Sequence, residues 1–458
     1  MASTAAGEGP VEGSGGAETA GDLSPGLQRK LFWGLVLPIG LITFANAIDR
    51  MNISFAGHAM SEEIGLTPDA FGYAVSVFFV AYLLFQYPHA ALLRRLGIKV
   101  WLFGAITLWG ISGIWMSQVN SAFEFYAARF LLGMAEAGFA PGMTYFISRW
   151  VPKSARATAL SGALAAVPLS MVLGGPLCGF LLGVENSWDI SSWRWMFLVL
   201  ALPHFLLAIA AAIYFVDSPG SARWLKPEER VELVERMAQE EGTGPGELSD
   251  SAQSALSGVL RDPWMWRCCI VWLLVMTGAY AMIFWLPQLV RQLAEGHSEF
   301  VIGVLSALPQ LALMIGLLLN GRHSDRTGER LWHIALAAAV GGVAMLAAAW
   351  LPTGWLVLAL LTVAGLGIGA SQGVFWTLPA TAGVGGRVVP VSAIALISMF
   401  GTAGGIIGPA LAGIVLARTG SFAPTIAVLA VMLLVATAVL LAGRASLQAR
   451  REAQRAVS

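Results

Sequence analysis

Charged side chains are scarce in this chain of 458 residues, at 12% against 57% hydrophobic. A soluble surface needs roughly 25 to 35% charge, so a water-soluble string of about three domains is excluded. Net charge is lacking too, with 27 basic side chains against 27 acidic ones, so no global field draws the chain to nucleic acid. There are only three cysteines, Cys178, Cys268 and Cys269, in or beside apolar runs and without metal-ligand spacing. That excludes a disulfide framework and a zinc site and leaves packing residues. HExxH, GxSxG and GxxxxGK are all missing, and the glycine-rich Gly365 to Gly373 lies inside an apolar run where packing explains it. An enzyme, a metal and a cofactor are therefore not expected. Before Leu31 there is no apolar run, and the acids Glu8, Glu12, Glu18 and Asp22 interrupt a Gly, Ala and Ser-rich stretch, so residues 1–30 read as a disordered tail rather than a cleaved signal.

What the chain does have is long apolar segments. Hydropathy and breakers place candidate spans at 31–55, 71–93, 100–119, 123–147, 158–182 and 195–216, then at 266–290, 300–319, 332–351, 355–380, 388–416 and 422–441. This predicts an all-α membrane protein of 12 transmembrane helices. Residues 31–216 and 266–443 form two six-helix bundles, joined by a linker over 217–265, with a tail at 444–458. The linker opens on a helix-start pattern, Lys226-Pro227-Glu228-Glu229, leading an amphipathic stretch to Glu241.

Lysine and arginine fall mostly in the loops after even-numbered spans, in the linker and at the termini. The loops after odd-numbered spans hold only Arg194, Arg291 and Arg418. Positive residues stay in the cytoplasm, which puts both termini there. The halves repeat one another. LRRLGIK (Leu93 to Lys99) corresponds to GRHSDRTGER (Gly321 to Arg330), and LGGPLCG (Leu173 to Gly179) to IIGPALAG (Ile406 to Gly413). Both pairs share nearly one offset, as a duplicated unit requires, and such repeats place a binding site between the halves near the midplane.

GRHSDRTGER resembles the loop signature of the major facilitator superfamily, with Gly321, Asp325, Arg326, Gly328 and Arg330 as its gating-motif residues; a solvated charged turn is the plainer alternative. In the first copy Arg94 stands at the acidic position, a departure from the pattern. Four further segments are similar to the anion:cation symporter family, especially its bacterial tartrate, phthalate and 4-hydroxyphenylacetate permeases: Asp49 to Ile53, Tyr126 to Gly142, Val167 to Gly179, and Asp217 to Glu229. The resemblance runs from about Leu31 to Gly443. It implies a major facilitator fold of two pseudo-symmetric bundles and inward, proton-driven uptake of organic anions across a bacterial inner membrane.

The charges buried in the spans lead to the same residues independently. Asp49, Arg50, Arg129 and Glu136 would together cost on the order of 10 kcal/mol in hydrocarbon if ionised and unpaired. They must line a cavity, pair, or be neutral. Arg129 and Glu136 are seven residues apart, on one helix face, which is expected to point into a central cavity. Arginine stays charged and presents a fork that matches a carboxylate, and a partly dehydrated acid can exchange protons. Arg50 and Arg129 are therefore assigned to the substrate carboxylate, and Asp49 and Glu136 to proton coupling, as the resemblance also implies. Static Asp49–Arg129 or Arg50–Glu136 pairs locking spans one and four are the alternative.

Tyr82, Gln288, Gln372 and Trp376 are further candidates for the pocket wall, each as readily a packing residue. Ser398 and Thr402 stand in span eleven where relatives usually carry asparagines. Gln86 sits where that branch often has Glu, and Glu124 reads as a span-end residue. His89 and His204 read as satisfied helix-end histidines. The glycine pairs of spans five and eleven, with Pro176 and Pro409, suit close, smooth helix contacts that rocking needs. The expected function is proton-coupled symport of a small organic anion, an aromatic carboxylate, tartrate-like dicarboxylate or sugar acid, by a lipid-embedded monomer without nucleic-acid partners. An anion-binding membrane sensor or a facilitative channel without proton coupling is the competing reading.

Overall fold

The computed structural model describes residues 24–184, 189–241, 258–351, 354–382 and 391–455, and these are helical with short connections. Among the described residues, ten helices are long and apolar enough to cross a membrane. Most end close to the expected boundaries. Residues 25–30, expected in the tail, instead form a helix, Pro25–Leu31, started by Ser24, whose hydroxyl accepts the Leu27 N–H. The predicted linker helix is present as Pro227–Glu241, and Lys30 pairs with its Glu229. Span eleven begins at Val391, its expected first residues lying outside the described ones, and the C-terminal tail carries a helix, Arg444–Arg455.

Several stretches depart from simple rods, the fifth run among them, broken at Ala165 between Lys153–Leu164 and Ala166–Gly183. Pro68–Met116 is one long helix interrupted only at Gly97, whose φ of 75° bends the chain between the second and third apolar runs. The fourth run is two helices, Ala122–Glu136 and Phe139–Trp150, because the chain breaks at Ala137 and Gly138. A Cβ on Gly138 would lie 2.2 Å from that of His89, so only glycine lets the break pack there.

Gly328, the expected counterpart of Gly97, also has a positive φ, 68°, although ψ differs, 1° against 168° at Gly97. The acids differ. Asp217, from beyond the sixth span, accepts the Ile98 N–H at 2.7 Å next to Gly97. In the second copy the motif is mostly helix, because Glu299–Thr327 runs through Gly321, Asp325 and Arg326, leaving only Gly328, Glu329 and Arg330 as the turn. There Asp325 accepts from Arg330 at 2.6 Å, and Glu329 accepts the Trp332 N–H at 2.9 Å and faces His333 at 2.8 Å. Burial pushes the Glu329 carboxyl up, but these N–H groups and His333 outweigh it and hold the carboxyl below the usual range.

Close contacts join the first half of the chain to the second on the side of the loops that follow odd-numbered spans, here the odd face. A Cβ on Gly175 would meet the Gly303 carbonyl at 2.5 Å, and one on Gly179 the Glu299 carbonyl at 2.4 Å. Likewise Gly72 approaches Pro409, and Gly413 approaches Pro68. The small-residue pattern of spans five and eleven thus forms the seam, although Gly401, Gly404 and Gly408 pack inside the second half against Trp272 and Thr277. Nearer the midplane the seam runs through Ser76, which donates to the Ile406 carbonyl at 2.6 Å, and through Phe79, whose ring meets Tyr280.

Candidate functional site

Asp49 and Arg50 sit near the middle of helix Leu37–Ile64. Neighbouring side chains on a helix point about 100° apart, so these two reach different partners. Arg50 turns to span four, where both its Nη2, at 2.8 Å, and its Nε, at 3.2 Å, donate to the same oxygen of Glu136, Oε2. Asp49 turns to span six, where its Oδ2 lies 3.1 Å from His204 Nε2. Asn52 donates more distantly to the other Asp49 oxygen, at 3.5 Å.

Span four brings its two charges in through Gly133, which lies on the same face between them. A Cβ there would sit 2.1 Å from the Phe78 carbonyl, so the face is pressed onto the span-two backbone. This corrects one expectation: the Arg129–Glu136 face does not open into a cavity. Glu136 is fully buried and Arg129 only 1% exposed, whereas the Arg50 side chain is 26% exposed. Arg50 alone of the four faces open space. The Arg129 guanidinium stacks 4.8 Å above the Phe78 ring, and its Nε and Nη2 find no hydrogen-bond partner. Phe78 is shared, for Arg50 lies 5.3 Å from the same ring and 5.1 Å from Tyr82. Two cations on one aromatic ring tolerate burial because the ring quadrupole attracts both.

The other candidates separate. Tyr82 belongs to the cluster, under Arg50. Gln288 does not: it packs beside Gly57 and lines a crevice of about 550 Å³ at the odd face with His58, Arg291 and Glu295. Trp376 stands exposed at the end of helix Trp355–Phe375, its ring edge-on to Trp272 at 5.0 Å, and Gln372 lies one turn before it, half-buried. Ser398 is exposed and donates to its own helix at Ile394, as Thr402 does at Ser398. Asp325 and Arg330 meet in the turn described above, with Arg326 exposed beside them. Glu124 accepts the Asn120 N–H at the start of its helix. His89 accepts from Trp101 at 3.1 Å. His204, however, is not a helix-end residue. It lies in the middle of Ser192–Tyr214 and is 2% exposed. The sequence signal for it was a histidine within an apolar run, and its partner lies in another span. Tyr280 is the other group missed, a half-buried hydroxyl-bearing ring of span seven opposite Phe79.

The site is thus a buried ionic cluster in the first half of the chain, reachable through Arg50. Comparison with known proteins bears on the chain as a whole. The family model Major Facilitator Superfamily matches residues 39–389. The chain is 35% identical over 401 residues to an Agrobacterium vitis protein named "Putative tartrate transporter", covering 88% of this chain and 87% of that one. It is 33% identical to "Inner membrane transport protein RhmT" of Escherichia coli, covering 82% and 86%, and 30% identical to "Quinolone resistance transporter" of Acinetobacter baumannii, covering 90% and 94%. Among solved structures, an inward-facing, unoccupied bacterial homologue of the human lysosomal transporter Spinster superposes with TM-score 0.77 at 17% identity, covering 94% of this chain and 99% of that one. A D-xylose–proton symporter follows at TM-score 0.66 and 14% identity, covering 89% and 97%. A multi-pass chain of apolar helices, matched over most of its length by transporters and by no enzyme among these relatives, belongs to the Major Facilitator Superfamily.

Proposed function

We propose that this protein is a secondary active transporter of the bacterial plasma membrane, carrying a small organic anion inward with protons by alternating access. In this reading both termini are cytoplasmic and twelve spans form two six-helix bundles. A helix of 49 residues would reach about 74 Å, more than twice a hydrocarbon core of about 30 Å, so Pro68–Met116 counts as two spans meeting at Gly97. Residues 122–150 count as one broken span. These two additions raise the ten apolar helices to twelve.

The observation that carries the proposal is the accessibility of Arg50 while it holds the fully buried Glu136. A carboxylate arriving from solvent reaches the Arg50 guanidinium and competes with Glu136 for it. Once released, an ionised Glu136 would stand unpaired inside the protein, which costs several kcal/mol, so it takes up a proton instead. Anion binding and proton uptake become one event. Arg129, closed off in this structure with its Nε and Nη2 unpartnered, would supply the second cation as the site opens around the anion. A dicarboxylate would then meet two arginines over an aromatic floor of Phe78 and Tyr82, consistent with a tartrate-like dicarboxylate, an aromatic carboxylate or a sugar acid. Gln372, Trp376 and Ser398 are the groups of the second half that would close over the anion, and the Asp325–Arg330 turn would tie two helix ends during rocking.

The test is uptake by the full-length protein reconstituted in liposomes, using labelled tartrate, phthalate and a sugar acid. Accumulation above equilibrium under an inward proton gradient is expected for at least one of them. Equilibration without accumulation would indicate a channel, and binding without entry a receptor.

A further inference from the structure

His204 has no role in the account so far, yet it makes the most enclosed polar contact of the cluster. The side chains of His204 and Asp49 are 3% and 5% exposed. His204 Nδ1 lies 3.0 Å from the Leu200 carbonyl oxygen. A carbonyl only accepts, so Nδ1 must carry the hydrogen. On a neutral ring Nε2 is then a bare lone pair. Facing it at 3.1 Å is Asp49 Oδ2, which is also only an acceptor when the acid is ionised. Two buried acceptors in contact leave both unsatisfied and repelling, and a single proton between them removes the conflict.

The geometry points to Asp49 and His204 as a one-proton dyad, in which His204 is a positioning residue that fixes where the proton sits. The groups around it fit this assignment. Trp109 packs against the imidazole at a steep angle, with ring centroids 6.1 Å apart. Asn52 serves the other Asp49 oxygen. Arg129 and Glu136 of span four act on Asp49 through their charges, Glu136 acts on His204, and Cys178 of span five feels Asp49. With one proton the dyad is neutral whichever partner holds it. Arg50 and Glu136 cancel, and Arg129 remains the unbalanced charge of the cluster. An arriving anion supplies its counter-charge, so occupancy by the anion and retention of the proton are linked.

The linkage to transport rests on the function proposed above, but the protonation state does not, and the experiment separates them. Full-length protein labelled with 15N-histidine in lipid nanodiscs gives the His204 ring signals by their loss in His204→Gln, and infrared difference spectra against Asp49→Asn give the Asp49 carboxyl. Without substrate at neutral pH, Nδ1 should be protonated, with one further proton on Nε2 or on the Asp49 carboxyl. A neutral ring beside an ionised Asp49 would overturn the dyad. In His204→Gln an amide N–H can serve the ionised carboxylate, so the pH at which gradient-driven tartrate uptake falls off should move to lower pH. A lower maximum with an unmoved profile would mean a merely structural histidine. If none of tartrate, phthalate and the sugar acid is carried by the wild type while the spectra show the shared proton, the dyad stands and the transport reading fails. Asp49→Asn, whose amide can donate to Nε2, keeps the test open if His204→Gln does not fold.

Discussion

In the first half of the chain Asp49, Arg50, Arg129, Glu136 and His204 crowd together at mid-helix depth. In the second half, residues 268–290, 300–321, 355–382, 391–417 and 422–443 contain no Asp, Glu, Lys or Arg at all. Tyr280 stands near the corresponding depth, and Trp272, Phe375 and Trp376 cluster nearer the helix ends. The halves share their glycine turns, Gly97 and Gly328, and their glycine–proline segments, but not their chemistry. Duplicating a scaffold does not require duplicating a site. One half holds costly charges that must be paired or neutralised, and the other brings aromatic rings without charge. The contrast makes the first half sensitive to loss of single partners and the seam sensitive to added bulk.

The largest effect should come from stranding a charge. Arg50→Ala leaves Glu136 buried and unpaired, which should lower stability by about 3–5 kcal/mol in thermal unfolding of the purified protein. Arg50→Ala combined with Glu136→Gln should recover most of that loss; no recovery would mean the pair is not what holds spans one and four together. Next is Arg129→Lys, which keeps the charge but loses the fork. A lost charge-assisted hydrogen bond is worth about 1.5–3 kcal/mol, so affinity for tartrate should fall about 10- to 100-fold by calorimetric titration. Unchanged affinity would move the anion site elsewhere.

A seam substitution probes the covering half. Gly175→Ala places a Cβ 2.5 Å from the Gly303 carbonyl and should wedge the odd face apart. A cysteine at Ser61, in the odd-face crevice, should then react several-fold faster with a membrane-impermeant thiol reagent. The control is Gly278→Ala inside the second half, where the nearest atom is an ordinary 3.5 Å away and labelling should not change. Smaller still, Tyr82→Phe keeps the ring under Arg50 and should leave affinity nearly unchanged, while Tyr82→Leu should cost about 0.5–2 kcal/mol of binding. The smallest effect lies in the turn of the second half. Because the Glu329 carboxyl is held below its ordinary range, its contribution is present above the unfolded value and is lost as pH falls through the lowered one. Glu329→Gln should therefore flatten the acid side of the stability profile slightly and leave binding unaffected.

The helices were legible because a run of about 20 apolar residues has few alternatives, and Pro227 behind Lys226 marked the linker helix as it should. The break at Ala137 and Gly138 was not, since its cause is the packing of Gly138 on His89 from another span, which no local pattern encodes. The cost of burying charge pointed to Asp49, Arg50, Arg129 and Glu136, but cost alone does not choose among lining, pairing and neutrality. The geometry shows Arg50 paired with Glu136, a possibility the spacing had left open, and Asp49 facing His204, which the sequence had suggested was a satisfied helix-end histidine. Gln288 was misplaced for a related reason. A helical face can be inferred from sequence, but height along the seam depends on how two halves meet, and Gln288 lies two turns beyond Tyr280 toward the odd face.

The central claim is that an anion can take Arg50 only if a buried carboxylate takes a proton. It is tested most directly by titrating tartrate, phthalate and a sugar acid into the purified protein in weakly buffered solution while recording pH. Net proton uptake that accompanies binding, and is lost in Glu136→Gln while binding persists, is the predicted result. Binding of any of these carboxylates with no proton exchange in the wild type, or no binding of any of them, would contradict the account.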